Sequence, residues 1–295
     1  MSAPTKLSSA YRGEDSVRES LRRAVLALQA ARIESASLDA RLLLQQALGL
    51  SREQLLLDAQ RPLSAQQAER FQALVARRVK REPIAQILGQ REFYGREFIV
   101  TRDTLDPRPD SETLIDAALA RIAGRAVPLQ LLDLGTGTGC LLLTLLAELP
   151  QAQGLGVDAS PQALAVAQEN AQKLGLSSRA RWQVGHWFKG LQGPFDVVLS
   201  NPPYIPAADI GGLSPEVAEY EPRLALDGGA DGLDAYREIC RQLPHFLAKE
   251  GFAVLEFGMG QERAIAALAQ QAGLQVVAMR PDLNGITRCM VLQQQ

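Results

Sequence analysis

Three segments of this chain hold residues that could do chemistry, and each directly follows a short apolar run. The first is Asp133-Leu134-Gly135-Thr136-Gly137-Thr138-Gly139. Glycines at alternate positions let a backbone turn tightly and come close to a ligand without a Cβ in the way. A dinucleotide site asks for G-x-G-x-x-G. Here Cys140 stands at the third dinucleotide position and the glycines run G-x-G-x-G, which disfavours nicotinamide. The pattern suits a ligand with an amino-acid moiety, whose carboxylate can take helix N-terminal amides. The second is Asp158, 23 residues after Gly135. A carboxylate there can accept both hydroxyls of a ribose, or it can cap the helix that begins near Pro161. The third is Asn201-Pro202-Pro203-Tyr204 after Phe195–Ser200. The Asn201 side-chain carbonyl and the Pro202 backbone carbonyl are two rigidly held acceptors. Together they can grip both N–H bonds of an NH₂ group and point its lone pair at an electrophile. Tyr204 can stack on a planar substrate group.

The elements that must carry these segments are readable from periodicity. From residue 129 onward strands alternate with helices. Strands are expected at 129–134, 154–157, 180–184, 195–200 and 252–257, with a final antiparallel pair at 275–279 and 287–292. Helices are expected at 140–148, 161–174, 233–248 and 262–272. That alternation predicts βαβ units and a mainly parallel seven-stranded sheet, whose ligands bind at the carboxyl ends of the strands. The amino-terminal part is different. Val17, Leu21, Val25 and Leu28 paint one helical face, as do Leu38, Leu42, Leu43 and Ala47. Ser51 with Gln54, and Ser64 with Gln67, have capping-box spacing. The reading is a helical bundle over residues 1–83, a hairpin linker over 84–109 and an α/β domain over 110–295. Asp110 or Ser111 is placed to cap the helix after Pro107-Arg108-Pro109.

Composition narrows the possibilities. The 295 residues are 46% hydrophobic, enough for sizeable cores, and the net charge of -2 disfavours a uniformly cationic nucleic-acid binder. Residues 1–85 hold 14 Lys and Arg against 9 Asp and Glu, and the remainder holds 17 against 24. The helical part therefore offers a different surface to partners, or merely a solvated basic face. Cys140, Cys240 and Cys289 lie far apart with no CxxC pair, so neither a disulfide framework nor a zinc site is expected, and no metal is implied. With no signal-peptide pattern and no apolar run of membrane-spanning length, the chain reads as soluble and cytoplasmic.

Asp133–Gly139, Asp158 and Asn201–Tyr204, in that order, resemble S-adenosylmethionine-dependent methyltransferases that act on amino groups. An Asn-Pro-Pro-Tyr motif also occurs in enzymes that methylate nucleic-acid bases. Residues 82–89 (Glu-Pro-Ile-Ala-Gln-Ile-Leu-Gly), 92–95 (Glu-Phe-Tyr-Gly), 107–112 (Pro-Arg-Pro-Asp-Ser-Glu) and 220–226 (Tyr-Glu-Pro-Arg-Leu-Ala-Leu) are similar to the peptide chain release factor glutamine methyltransferases. The likeness runs over nearly the whole chain. It implies a Rossmann-like class I methyltransferase domain behind the helical bundle. It also implies methyl transfer from S-adenosylmethionine, leaving S-adenosylhomocysteine, to the side-chain nitrogen of the glutamine in the Gly-Gly-Gln motif of class 1 release factors. By the same resemblance Gly135, Thr136, Gly137, Thr138, Gly139, Asp158, Trp187 and Asn201 hold the cofactor. Asn201, Pro202, Pro203 and Tyr204 take the substrate, and Asn201, Pro202 and Tyr204 serve catalysis.

Two positions depart from the family pattern. Asp106 stands where an apolar residue usually precedes Pro-Arg-Pro, and His186 stands before Trp187 where an acidic residue is common. Trp187 itself reads as part of an adenosine pocket or as a core aromatic. Other substrates consistent with the loop are a ribosomal-protein glutamine and a nucleic-acid base. Residues 201–222 hold four acidic residues and no Lys or Arg, which argues against the base. A binding module carrying a degenerate enzyme is a further possibility, opposed by the intact glycine loop, Asp158 and Asn201.

Overall fold

The computed structural model describes residues 15–122, 128–282 and 284–295. Residues 1–14 of the expected helical domain lie outside that range. The chain divides into two compact units between Leu88 and Gly89. The first contains α1 (Val17–Ala30), α2 (Ala36–Leu48), α3 (Arg52–Leu57), α4 (Ala65–Val79) and α5 (Ile84–Leu88). Both expected capping boxes form, and Ser16 with Glu19 makes a third at the start of α1. Each satisfies amide groups that a helix end leaves orphaned. Leu28, Leu43, Leu44 and Phe71 are fully buried between the helices. Arg78 donates to Asp39 at 2.7 Å inside this core. Leu56 and Leu57 on α3 point the other way and are 72% and 86% exposed.

The second unit opens with the hairpin β1 (Gln90–Phe93) and β2 (Arg96–Ile99). Tyr94 and Gly95 both have positive φ, as a two-residue turn between right-twisted strands requires. Phe93 and Phe98 carry the hairpin into the core beside Leu114 and Ile115 of α6 (Glu112–Ile122).

There follow β3 (Gln130–Leu134), α7 (Cys140–Glu148), β4 (Gln153–Asp158), α8 (Pro161–Lys173), β5 (Ala180–Val184) and β6 (Phe195–Ser200). Then come α9 (Pro215–Ala218), α10 (Asp234–Gln242), β7 (Leu247–Glu256), α11 (Glu262–Gln271), β8 (Leu274–Pro281) and β9 (Thr287–Gln294). Seven strands form one sheet in the order β5-β4-β3-β6-β7-β9-β8. All neighbours are parallel except β9, which runs antiparallel to both β7 and β8. This is the Rossmann-like architecture of a class I methyltransferase. Alternate strand residues feed two cores: Leu131, Val197 and Leu199 face one, and Leu132, Leu134 and Val198 the other. A sheet covered on both faces needs such continuous apolar runs.

The strand order reverses between β3 and β6. Crossovers lead outward from β3 through β4 to β5, and from β6 through β7 on the other side. The crevice above their carboxyl ends is where such sheets take ligands. The Ser200 hydroxyl donates to the Leu134 carbonyl at 2.7 Å and ties the two strand ends together.

Two local expectations are corrected. The helix expected over 233–248 ends at Gln242, passes through a 3₁₀ turn at Leu243–His245, and gives way to β7 at Leu247. Pro244 lacks the amide proton a continuing helix needs, and its ring crowds the carbonyl four residues before it. Neither Asp110 nor Ser111 caps α6. The chain enters that helix through a 3₁₀ turn at Pro109–Ser111, and the Ser111 hydroxyl is directed to Glu256 instead. No helix of the described residues is long and apolar enough to cross a membrane.

Candidate active site

The glycine loop leaves β3 and bends back over β4. The amides of Gly135 and Thr136 both donate to the Val157 carbonyl, at 2.8 and 3.0 Å. Gly135, Gly137 and Gly139 have φ of +71°, +55° and +78°, a region that side-chain-bearing residues avoid. Their surroundings differ. A Cβ on Gly137 would meet nothing within 4 Å, whereas one on Gly139 would lie 3.1–3.3 Å from Leu143, Trp182 and Ala167. Gly139 thus lets α7 pack closely on the layer behind it. Asp133 sits buried beneath the loop and accepts from the Thr136 hydroxyl at 2.6 Å. Burial pushes its carboxyl up to about 7.

Asp158 stands at the end of β4. One carboxylate oxygen accepts from the Gly137 amide at 2.9 Å and the other from the Ser160 amide at 2.9 Å. The cap of α8 is Ser160, whose hydroxyl accepts from Ala163. Asp158 is therefore not the helix cap. Each of its oxygens keeps a further lone pair for a ligand.

Asn201 follows β6. Its side-chain nitrogen donates to the Ser111 hydroxyl oxygen at 3.3 Å. The Ser111 hydroxyl in turn donates to the carboxylate of Glu256 at the end of β7. Glu256 is fully enclosed, and burial pushes its carboxyl up to about 7. The Tyr204 carbonyl accepts from the Gln261 side chain at 3.0 Å, and the Ile205 amide donates to Leu226 at 3.1 Å. Gly232 makes this close approach possible, since a Cβ there would lie 2.3 Å from the Tyr204 carbonyl oxygen.

These segments meet in a cavity of about 310 Å³. Gly135, Thr136, Gly137, Thr138, Asp158, Trp187, Asn201 and Pro203 line it. Gly139, Pro202 and Tyr204 are not among its walls. Pro202 is buried and the Tyr204 ring is half-buried, packed toward Gly258. Burial pushes the Tyr204 phenol up to about 12, so it stays neutral. Trp187 lines the cavity and also packs on the core behind it. Its φ of 49° is rare for so large a residue and turns the chain at the cavity rim.

Arg108, on the cavity wall, is paired with Glu221, each from a segment that carries the family resemblance. Arg108 donates to Glu221 at 2.7 Å, and burial pushes the Glu221 carboxyl up to about 7 despite that partner. Among the described residues no group of His, Cys, Asp and Glu could hold a metal ion. Burial raises the thiols of Cys140, Cys240 and Cys289 to about 12, so none is a ready nucleophile.

The chain is similar in sequence to known proteins. A family model described as the PrmC N-terminal domain matches residues 19–89, and one described as a methyltransferase domain matches residues 128–247. The chain is 48% identical over 267 residues to the release factor glutamine methyltransferase of Rhodospirillum rubrum, across 90% of this chain and 82% of that one. It is 50% identical over 270 residues to the enzyme of the same name from Cereibacter sphaeroides, across 92% and 95%. The chain belongs to the release factor glutamine methyltransferases. Among solved structures, a release factor-specific protein-(glutamine-N5) methyltransferase from Alicyclobacillus acidocaldarius is 24% identical. It covers 64% of this chain and 94% of that one, with a TM-score of 0.40.

Within the release factor glutamine methyltransferases, the two departures noted in this sequence both sit on the cavity wall. His186 is exposed. Asp106 is buried, 3.8 Å from Arg91, and burial raises its carboxyl against the pull of Arg91 and Arg108.

Proposed function

We propose that this enzyme transfers a methyl group from S-adenosylmethionine to the side-chain amide nitrogen of the Gly-Gly-Gln glutamine in class 1 release factors, in the cytoplasm. The observation that carries the reading is the position of Asn201. Its amide is anchored at the nitrogen end, at the switch point of the sheet, on the same cavity as the glycine loop and Asp158.

The residues present suit the cofactor. The Asp158 carboxylate retains acceptor capacity for the two ribose hydroxyls. The glycine loop offers open backbone at Gly137, where a side chain would otherwise intrude. Trp187 supplies an aromatic wall for adenosine. S-adenosylmethionine brings a methyl group activated on a sulfonium, so the protein need not activate a leaving group.

The protein's task is then to place a poor nucleophile. An amide nitrogen has its lone pair delocalised into its own carbonyl. The Asn201 Oδ1 and the Pro202 carbonyl accept its two protons and turn the nitrogen toward the methyl carbon. Such positioning contributes up to about 7–11 kcal/mol in the most favourable intramolecular reactions. Tyr204, neutral at working pH, does not act as base. The helical unit docks the protein substrate, a role supported by its exposed Leu56 and Leu57 and its basic balance.

The test is a radiolabelled methyl-transfer assay on purified release factor, ribosomal proteins and DNA. Label confined to the release factor glutamine is the expected result. Label on a ribosomal protein or a base, with none on release factor, refutes the assignment.

A further inference from the structure

The side-chain amide of asparagine has a donor end and an acceptor end of nearly the same shape. If Asn201 is to grip a substrate NH₂ group, its oxygen must face the cavity. The structure shows what could enforce that choice. Ser111 lies between Asn201 and Glu256, 3.3 Å from the Asn201 nitrogen and hydrogen-bonded to a Glu256 carboxylate oxygen. We propose that Glu256 is a positioning residue, acting through Ser111 and on the Asn201 nitrogen itself to decide which end of the Asn201 amide faces the substrate. This rests on the methyl-transfer reading above.

The argument is one of proton counting. Ser111 has a single hydroxyl proton. An ionised Glu256 can only accept, so Ser111 must give that proton to it. Ser111 then has only lone pairs to offer Asn201, and the Asn201 NH₂ turns inward to meet them. The Asn201 oxygen is left facing the cavity. A protonated Glu256 reverses the chain. It can donate to Ser111, whose own proton is released to hydrogen-bond the Asn201 oxygen. The amide can then turn over, and the substrate meets a donor where it needs an acceptor.

The groups around Glu256 place this switch in a usable range. Burial and Asp110 oppose its ionisation; Ser111, Arg288 and Asn201 favour it, and the balance puts its carboxyl at about 7. The other titratable neighbours are neutral at working pH. Cys140, Cys289 and Tyr204 are raised to about 12, and the Tyr236 hydroxyl, raised well above its ordinary value, donates to the Glu256 backbone carbonyl at 2.7 Å. Rate should therefore fall on the acid side as Glu256 takes up its proton.

Single-turnover methylation of release factor, with saturating cofactor, is followed from about pH 6 to about pH 9 for the wild type, Glu256→Gln and Ser111→Ala. Cofactor affinity and melting curves are taken alongside. The wild type should show an acid limb approaching about tenfold per pH unit. Glu256→Gln cannot titrate, so its limb should vanish, with the rate at high pH lowered and KM for release factor little changed. Ser111→Ala breaks the relay without touching the carboxylate. It should lose up to about a hundredfold in rate at high pH. If folded Glu256→Gln keeps the limb, or if both variants stay within about threefold of wild type at high pH, Glu256 does not position Asn201. Should Glu256→Gln fail to fold, Glu256→Met, which also cannot titrate, takes its place under the same criterion. A wild type that binds cofactor and leaves release factor unmethylated at every pH overturns the functional reading, and this proposal with it.

Discussion

The Gly137 amide donates to the Asp158 carboxylate at the end of the neighbouring strand, 2.9 Å away. The carboxylate proposed to take the ribose is thus also bonded to the glycine loop. Loop and carboxylate come from different strands, so the hydrogen bond makes one binding surface of two.

Asp158→Ala should weaken cofactor binding about ten- to hundredfold, the cost of leaving buried hydroxyls and a loop amide without their acceptor. Asp158→Asn should lose less, because its oxygen can still accept from Gly137. Calorimetry on both variants checks the order. Wild-type affinity in the alanine variant would leave Asp158 with no part in binding.

Asn201→Ala removes one preorganised contact to the substrate and should lower kcat by about 10²–10³ with cofactor affinity nearly unchanged. Asn201→Asp keeps the shape but sets a second carboxylate on Ser111, close to Glu256. Like charges in an enclosed site disfavour one another, so the aspartate variant should be nearly as slow as alanine at alkaline pH. Single-turnover rates with melting curves test this. A rate within about threefold of wild type for Asn201→Ala would remove the residue from the reaction.

How far could this site be read in advance? The glycine loop, Asp158 and Asn201 announce themselves because each follows an apolar strand and carries its chemistry within a few residues. Ser111 and Glu256 do not. Glu256 is one acidic residue at the end of a strand, and only the pairing of β7 beside β6 brings it beneath Asn201. Ser111 looked like a helix cap because serine before a helix usually is one. Its true partner lies 145 positions away. The parallel sheet was legible from alternation alone, while the end of α10 was missed by overlooking Pro244.

The buried Asp133 carboxyl offers a pH test of stability. It is held at about 7 in the folded protein and relaxes to about 3.9 on unfolding. Between those values the folded state keeps a proton that the unfolded chain releases. The stability this group contributes is full below about pH 4 and is lost as pH rises through about 7. Asp133→Asn carries no such dependence and can still accept from Thr136. Its melting temperature relative to wild type should therefore rise between about pH 5 and about pH 8. A constant difference across that range would mean the group ionises as it does in water.

Leu56 and Leu57 lie exposed on the helical unit. Replacing both with glutamate should raise KM for release factor by about tenfold or more, with little change in kcat or cofactor affinity, since uniform binding is all they would contribute. Steady-state kinetics at several release factor concentrations measure the split. An unchanged KM would free this surface from any part in docking.

Asn170 on α8 is fully enclosed, and its amide is spent entirely on other segments. It accepts from the Ile99 amide and donates to the carbonyls of Ile99 and Thr138, so a single side chain closes the edge of the hairpin and props the glycine loop. Three stretches far apart along the chain are thereby tied together. A chimera that imports the hairpin from a relative will keep its loop geometry only if the donor's strand presents the same backbone to this asparagine. In hydrogen exchange, the Ile99 amide should open together with α8 rather than with its own turn. The base of the hairpin is in this sense fastened to the glycine loop, while its tip at Tyr94 and Gly95 lies outside that link.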